Sequence, residues 1–383
     1  MPTPDTALGP LRVLDFSRVL AGPFATMLLA DFGATVVKVE RPGVGDDTRS
    51  WGPPYDASGQ ATYFQSVNRN KTSVALDLGD PDDLAQARAL ALEADVVVEN
   101  FRPGVMDRLG LGPDTLRAAD PGLVYCSITG FGSGGGAALP GYDLLIQAVG
   151  GLMSITGDPG GEPQKVGVAL VDVLAGLFAS VGILAALRHR DRTGEGQRVE
   201  IDLLSSLLAA LVNQGSAYTS GGTVPARMGN RHPSIAPYEL LPCADHEIAL
   251  AVGNDRQFAA LCEVIGRPEL AGQTRFATNP ARVEHRAELR ALLEERLARR
   301  PAAEWAADLG AAGVPAGEVN DVAGAFALAQ RLGLNPTVEL PRPDGTSVRL
   351  TRNPIGLSAT PPRYRTAPPD DPGQLTLPLP GWS

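Results

Sequence analysis

Short apolar runs separated by polar or glycine-rich turns fill the first half of the chain, and their period alternates between two residues and a helical spacing. Leu11 to Phe16 is a run of strand formers. After Ala21-Gly22-Pro23, the spacing of Phe24 to Asp31 suits a helix that Gly33 ends, and Ala34 to Glu40 reads as a second strand. Strand, helix, strand predicts a parallel pair joined by a right-handed crossover. The pattern then repeats. Ser73 to Leu78 alternates as a strand, Asp80 to Ala94 reads as a helix with an Asp-Pro-Asp-Asp start, and Asp95 to Glu99 and Leu123 to Thr129 are further strands. Beyond the glycine-rich Gly130 to Gly136, the spacing predicts helices over Asp143 to Ser154 and Val171 to Arg190 and a late strand at Arg198 to Leu203. The prediction for this part is an α/β layer.

From about Thr223 the texture changes. A polar, Pro-rich connection leads into the strand-like Tyr238 to Val252 and then into helical spacing at Asp255 to Ile265 and Val283 to Arg299. The segment from Pro336 is Pro-rich with short strand-like pieces such as Val348 to Leu350, and it is expected to dock back on the first domain. The predicted division is a large domain of residues 1–222 with 336–383 returning to it, and a small domain with its linkers at 223–335.

With 383 residues, 44% of them hydrophobic and 20% charged, the chain can bury one large core or two smaller ones. A net charge of -10 excludes a protein that works by coating nucleic acid or an anionic membrane, since both demand a basic face. An anionic ligand would need a local basic pocket. The three cysteines, Cys126, Cys243 and Cys262, suit neither a disulfide framework nor a zinc site, so a reducing, cytoplasmic setting is expected. The opening residues lack the basic and apolar regions of a secretory signal. Val166 to Leu187 is apolar for about the length of a membrane span, but Asp172 and many Gly and Ala residues within it favour a buried core helix.

The first βαβ unit ends in Glu40, where a dinucleotide fold would place its ribose-binding acid. Its turn, Ser17-Arg18-Val19-Leu20-Ala21-Gly22-Pro23, lacks G-x-G-x-x-G and carries an obstructing proline, which argues against a nicotinamide cofactor. Gly130 to Gly136 (GFGSGGG) lacks the G-K-[ST] ending of a phosphate cradle and reads as a flexible loop near an entrance. Asp172 is an acid in an apolar stretch. From the residues alone the first reading is a helix cap, because Asp favours that position. His232, next to Pro233, reads as a turn or packing residue before it reads as a base.

Read in order, several segments resemble family III CoA-transferases of the CaiB/BaiF type: Leu11 to Arg49, Asn68-Arg69-Asn70-Lys71, Val97 to Gly110, Gly141 to Gly157, Thr193 to Gln197 and Arg227 to Tyr238. The resemblance covers nearly the whole chain. It implies a Rossmann-like large domain built from N- and C-terminal parts, a smaller α+β domain, and an interlocked, ring-like homodimer. It also implies a CoA-transferase acting on an acyl-CoA and a carboxylate, with no cofactor beyond coenzyme A as substrate, no metal, and neither nucleic acid nor membrane as partner. Asp172 matches the family's nucleophile, and Asp143 stands where family transferases carry a second acid. A helix N-terminus at Asp172 would supply positive potential that keeps its carboxylate ionised against the effect of burial.

Matching CoA-binding positions are Val19, Leu20, Ala21, Arg41, Leu76, Asn100, Phe101, Val105 and Arg108. Lys71 joins Arg41 and Arg108 as a possible phosphate partner. Gly221-Gly222 and Gly229 match a glycine loop able to offer oxyanion donors, though the long polyglycine run of the formyl-CoA type is missing, which weakens an oxalate or formyl assignment. Two alternatives remain. A 2-methylacyl-CoA racemase would need a His where Gly141-Tyr142-Asp143 has Tyr, a poor base at neutral pH. A CoA-binding protein without activity would have no use for Asp172.

Overall fold

The computed structural model describes residues 6–373 and Trp382. They divide into two compact units, the larger comprising the chain up to Leu152, Lys165–Thr223 and the segment from Asn335, the smaller Met153–Gln164 and Val224–Leu334.

The larger unit is built on six strands, β1 (Arg12–Asp15), β2 (Thr35–Glu40), β3 (Lys71–Ala75), β4 (Val96–Glu99), β5 (Val124–Thr129) and β6 (Arg198–Asp202), in the order β3-β2-β1-β4-β5-β6. All neighbours are parallel. Its helices are α1 (Ala21–Asp31), α2 (Thr62–Ser66), α3 (Pro81–Glu93), α4 (Val105–Arg108), α5 (Pro113–Ala119), α6 (Asp143–Val149), α7 (Leu152–Ile155), α8 (Leu170–Thr193), α9 (Leu203–Ala210) and α10 (Val212–Thr219), with α7 straddling the boundary between the units. Sequence chemistry explains several starts. Asp80 accepts the Asp82 and Asp83 N–H groups ahead of α3, whose first residue is proline.

Both sheet faces are covered, which is why central strands such as β4 (VVVE) run apolar instead of alternating strictly. Val13, Val36, Val98 and Val124 pack with Leu29 of α1 and Ala175 of α8, while Leu14, Val37, Val97 and Tyr125 meet Leu90 of α3 and Leu116 of α5 on the other face. Each such side chain removed from water contributes roughly 1.5–3 kcal/mol. The strand order reverses between β1 and β4, and this is where a crevice opens at the carboxyl ends of an open α/β sheet.

α8 lies on α1 so closely that a Cβ on Gly176 would stand 2.7 Å from the Ala21 carbonyl oxygen. One face of α8 is buried through Val171, Ala175, Ala179 and Ile183. Along the opposite face Leu177, Phe178, Val181 and Leu184 are exposed, so the expectation of a buried core helix holds for one face only. By length and composition alone this helix would also suit a membrane span.

Other expectations shift. The single helix expected from Asp143 to Ser154 is broken between α6 and α7 at Gly150-Gly151, the latter at φ 87°. β3 begins two residues earlier than Ser73 and ends before Leu76, because a buried lysine opens the strand. From Asn335 the chain makes the antiparallel hairpin β10 (Thr337–Pro341) and β11 (Ser347–Thr351) once the smaller unit has been completed. Buried Asp31 then gathers Arg69 at 2.6 and 2.9 Å, Asn70 at 2.8 Å and Asn353 at 3.1 Å.

The smaller unit has the antiparallel sheet β7 (Tyr238–Pro242), β8 (Glu247–Ala251) and β9 (Ala316–Glu318) with α11 (Asp255–Val264), α12 (Asn279–Glu284), α13 (Arg286–Leu297), α14 (Ala302–Ala311) and α15 (Val322–Arg331). Leu241, Ile248, Phe258, Leu261, Phe276 and Leu293 form its core. The continuous helix read from Val283 to Arg299 is two helices meeting at His285. Met153–Gln164, read as part of the large domain, groups with this unit instead, because Gly229 N–H bonds the Gly157 carbonyl at 3.0 Å and Arg227 bonds the Gly161 carbonyl at 3.0 Å. Backbone partners of this kind leave no periodic trace in a sequence.

Candidate functional site

A cavity of about 210 Å³ lies in the larger unit and is lined by Val19, Leu20, Ala21, Phe101, Tyr142 and Asp172 among others. The turn between β1 and α1 supplies one wall. Its backbone is clamped by Asn100, which accepts the Arg18 N–H at 2.8 Å and donates to the Arg18 carbonyl at 2.7 Å. No acceptor takes the N–H groups of Leu20 and Ala21 among the described residues, so the start of α1 presents free donors. Gly130 and Gly141 let two further wall segments meet, since a Cβ on Gly130 would stand 2.6 Å from the Gly141 Cα.

Asp172 is the third residue of α8 and does not cap it. The capping acceptor is Asp143, whose Oδ1 takes the N–H of Val171 at 2.7 Å and of Asp172 at 3.4 Å. Gln147, fully buried, donates to Asp143 Oδ2 at 2.6 Å and accepts the Val166 N–H at 2.9 Å, which fixes both the acid and the segment leading into α8. The half-buried Asp172 carboxyl has no hydrogen-bond donor among the described residues. Burial, followed by the Asp143 charge, pushes it up to about 7. The expectation that the helix terminus holds this acid ionised is therefore corrected: Asp143 takes up the N–H groups that would have done so. Tyr63 of α2 faces the same charges, and burial together with Asp172 and Asp143 pushes its hydroxyl up to about 12. The Tyr63 ring packs edge-on against Trp51 at 5.4 Å.

A second cavity of about 270 Å³ has apolar walls from Phe16, Val39, Leu76 and Phe101, with Arg41 at its edge. Arg18 lines both cavities, and its guanidinium lies 4.9 Å from the Phe101 ring centroid. Reading the sequence missed Arg18, Gln147 and Tyr63. Arg18 was the most accessible of the three, lying inside a turn already singled out.

Of the residues matched to CoA binding, Val19, Leu20, Ala21, Asn100 and Phe101 line the first cavity, and Arg41, Leu76 and Phe101 the second. Val105 and Arg108 lie on α4 and line neither. Lys71 is a correction. Its side chain is fully enclosed, with Nζ on Asp15 at 3.1 Å, the Pro23 carbonyl at 2.9 Å and Asn68 at 3.0 Å, so it cannot meet a phosphate arriving from solvent. In the smaller unit, His232 Nδ1 accepts the Ser234 N–H at 3.1 Å and the ring packs on Tyr238, the contacts of a turn residue. Among the described residues no group of three or more His, Cys, Asp or Glu side chains is placed to hold a metal ion.

The doubly wound α/β sheet is the fold of the CaiB/BaiF class. A solved CAIB/BAIF family protein from Brucella suis superposes with a TM-score of 0.85 at 44% identity, covering 96% of this chain and 97% of that one. The chain belongs to CoA-transferase family III, whose family model matches residues 8–374. It is 43% identical to a succinate–glutarate CoA-transferase of Agrobacterium fabrum, over 96% of this chain and 94% of the relative. An acetyl-CoA:oxalate CoA-transferase of Acetobacter aceti is 42% identical over 93% of this chain and 91% of its own length. The protein is thus an enzyme that moves CoA between acyl groups, with CoA thioesters as substrates.

Proposed function

We propose that Asp172 is the nucleophile, and that donor and acceptor are small dicarboxylates of the succinate and glutarate kind. The observation that carries the reading is a single half-buried carboxyl without a hydrogen-bond donor, set in the wall of a cavity that the β1–α1 turn also lines. A carboxylate oxygen of Asp172 attacks the thioester carbonyl carbon, the C–S bond breaks, and CoA thiolate leaves an aspartyl-acyl anhydride. The thiolate attacks the Asp172 carbonyl carbon of the anhydride, expelling the donor as its carboxylate and leaving an aspartyl-CoA thioester. The acceptor carboxylate attacks this thioester, and the returning thiolate takes the new acyl group, which frees Asp172. Each tetrahedral oxyanion finds donors in the free N–H groups of Leu20 and Ala21. The apolar second cavity suits the adenine ring, with Arg18 and Arg41 beside it for phosphate.

The likeness to the succinate–glutarate enzyme supports the choice of dicarboxylate. A racemase would need an imidazole where Tyr142 stands, and no histidine among the described residues lines the cavity of Asp172. The exposed apolar face of α8 supports a homodimer, since a contiguous patch of this kind marks an interface.

Asp172→Ala, assayed with succinyl-CoA and glutarate, is expected to lose roughly a thousandfold or more of turnover. Hydroxylamine added to the wild type during turnover is expected to convert Asp172 to its hydroxamate, seen by peptide mass. Near-normal turnover by Asp172→Ala ends the proposal.

A further inference from the structure

The turn between β1 and α1 is held from beneath by charges that never reach solvent. The side chains of Asp15, Lys38, Asp46 and Lys71 are all fully enclosed. Ser17 donates its N–H to Asp15 at 2.9 Å and accepts from Lys38 Nζ through its carbonyl at 2.7 Å. Val19 gives its N–H to Asp46 at 3.2 Å, and Asp46 is paired with Lys38 at 2.9 Å. Asp46 is fixed in turn, accepting the Thr48 N–H at 2.9 Å and hydroxyl at 2.7 Å while its own N–H bonds Glu40 at 2.7 Å.

Val19 has φ 70°, a left-handed conformation that a β-branched residue adopts only when its surroundings force it. Its cavity position makes the strain informative. A buried ion pair is seldom a net gain over well-packed apolar side chains, so stability alone is weak grounds for this one. We infer that Lys38 and Asp46 are positioning residues of the CoA site: their enclosed pair fixes the Val19 peptide in its left-handed form and so sets the cavity wall made by Val19, Leu20 and Ala21. The inference rests on reading that cavity as the CoA site. Relaxation of Val19 to a negative φ would take its N–H off Asp46 and turn the following peptide, with the Leu20 N–H, away from its present direction. Burial opposes the charge on Lys38, yet Asp46, Asp15 and Glu40 around it hold its pKa above the usual lysine value. The pair therefore stays ionic.

The test replaces both partners together, Lys38→Met with Asp46→Leu, so that no lone charge is left enclosed, and reads the Kd for free CoA by calorimetry. A folded pair variant is expected to bind CoA about tenfold more weakly. Adding Val19→Gly to it is expected to recover most of that loss, because glycine takes a positive φ without cost. Asp46→Asn, which keeps an acceptor for the Val19 N–H, is expected to lose less. An unchanged Kd in the folded pair variant, or no recovery on adding Val19→Gly, overturns the inference. Should the pair variant not fold, Asp46→Ala, which removes the acceptor and leaves Lys38 facing Asp15 and Glu40, makes the same comparison with and without Val19→Gly, and the same two results decide it. Binding is read without turnover, so failure of the Asp172→Ala assay and failure of this one are separate results.

Discussion

The proposed attack by Asp172 requires its anion, and its surroundings raise its pKa to about 7. With the carboxyl pushed to about 7 by burial and by Asp143, the ionised fraction of the free enzyme falls as pH drops through 7. kcat/KM for acyl-CoA is therefore expected to decline on the acid side with an apparent pKa near 7. Asp143→Asn keeps an oxygen for the Val171 N–H but removes the neighbouring charge, so the acid limb should move down by about one pH unit. A limb unmoved by that change would show that burial alone sets the value. At this scale the residues alone read Asp172 as a helix cap, a part the structure gives to Asp143 instead, and the site roles of both acids were suggested only by the family resemblance. Lys71 was misread for a physical reason. A lysine near the end of a polar stretch looks solvated, and its neutralising partner Asp15 is 56 positions away along the chain.

The elements were legible wherever local pattern decides them. Strands such as β2 and β5 are apolar runs bounded by turn residues, and their ends fall within a residue of expectation. Breaks inside a continuous helical spacing were not: α6 and α7 part at a glycine with positive φ, and α12 and α13 at His285. α8 is the element whose sequence says most and least. Its apolar residues run all round, so periodicity cannot tell the face on α1 from the face left open. If the open face is covered by a second copy of the chain, Phe178→Asp with Val181→Lys should halve the mass seen by sedimentation equilibrium at micromolar concentration. An unchanged mass would show that the partner, if any, sits elsewhere.

At the scale of the molecule, the larger unit depends on residues that come last. Asp31 and Arg69 complete their hydrogen bonds with Asn353 and the Thr351 carbonyl, Asn70 with Arg363, Arg365 and Thr366, and Arg49 with the Asp370 carbonyl. Ala75 at the sheet edge bonds the Gly373 carbonyl at 2.8 Å. A chain cut after Leu334 leaves these groups without partners at about 1–3 kcal/mol each, a sum comparable to the whole stability of a domain. It is expected to lack near-ultraviolet circular dichroism and a cooperative melt, whereas a cooperative melt near that of the full chain would show that the larger unit closes without its last segment. The same arrangement orders events during synthesis. The six parallel strands emerge from the ribosome long before their closing segment, so the nascent protein spends most of translation with an open edge at β3 and an Asp31 carboxylate still lacking its Asn353 hydrogen bond. Chaperone engagement should persist until residues beyond Thr351 have cleared the exit tunnel.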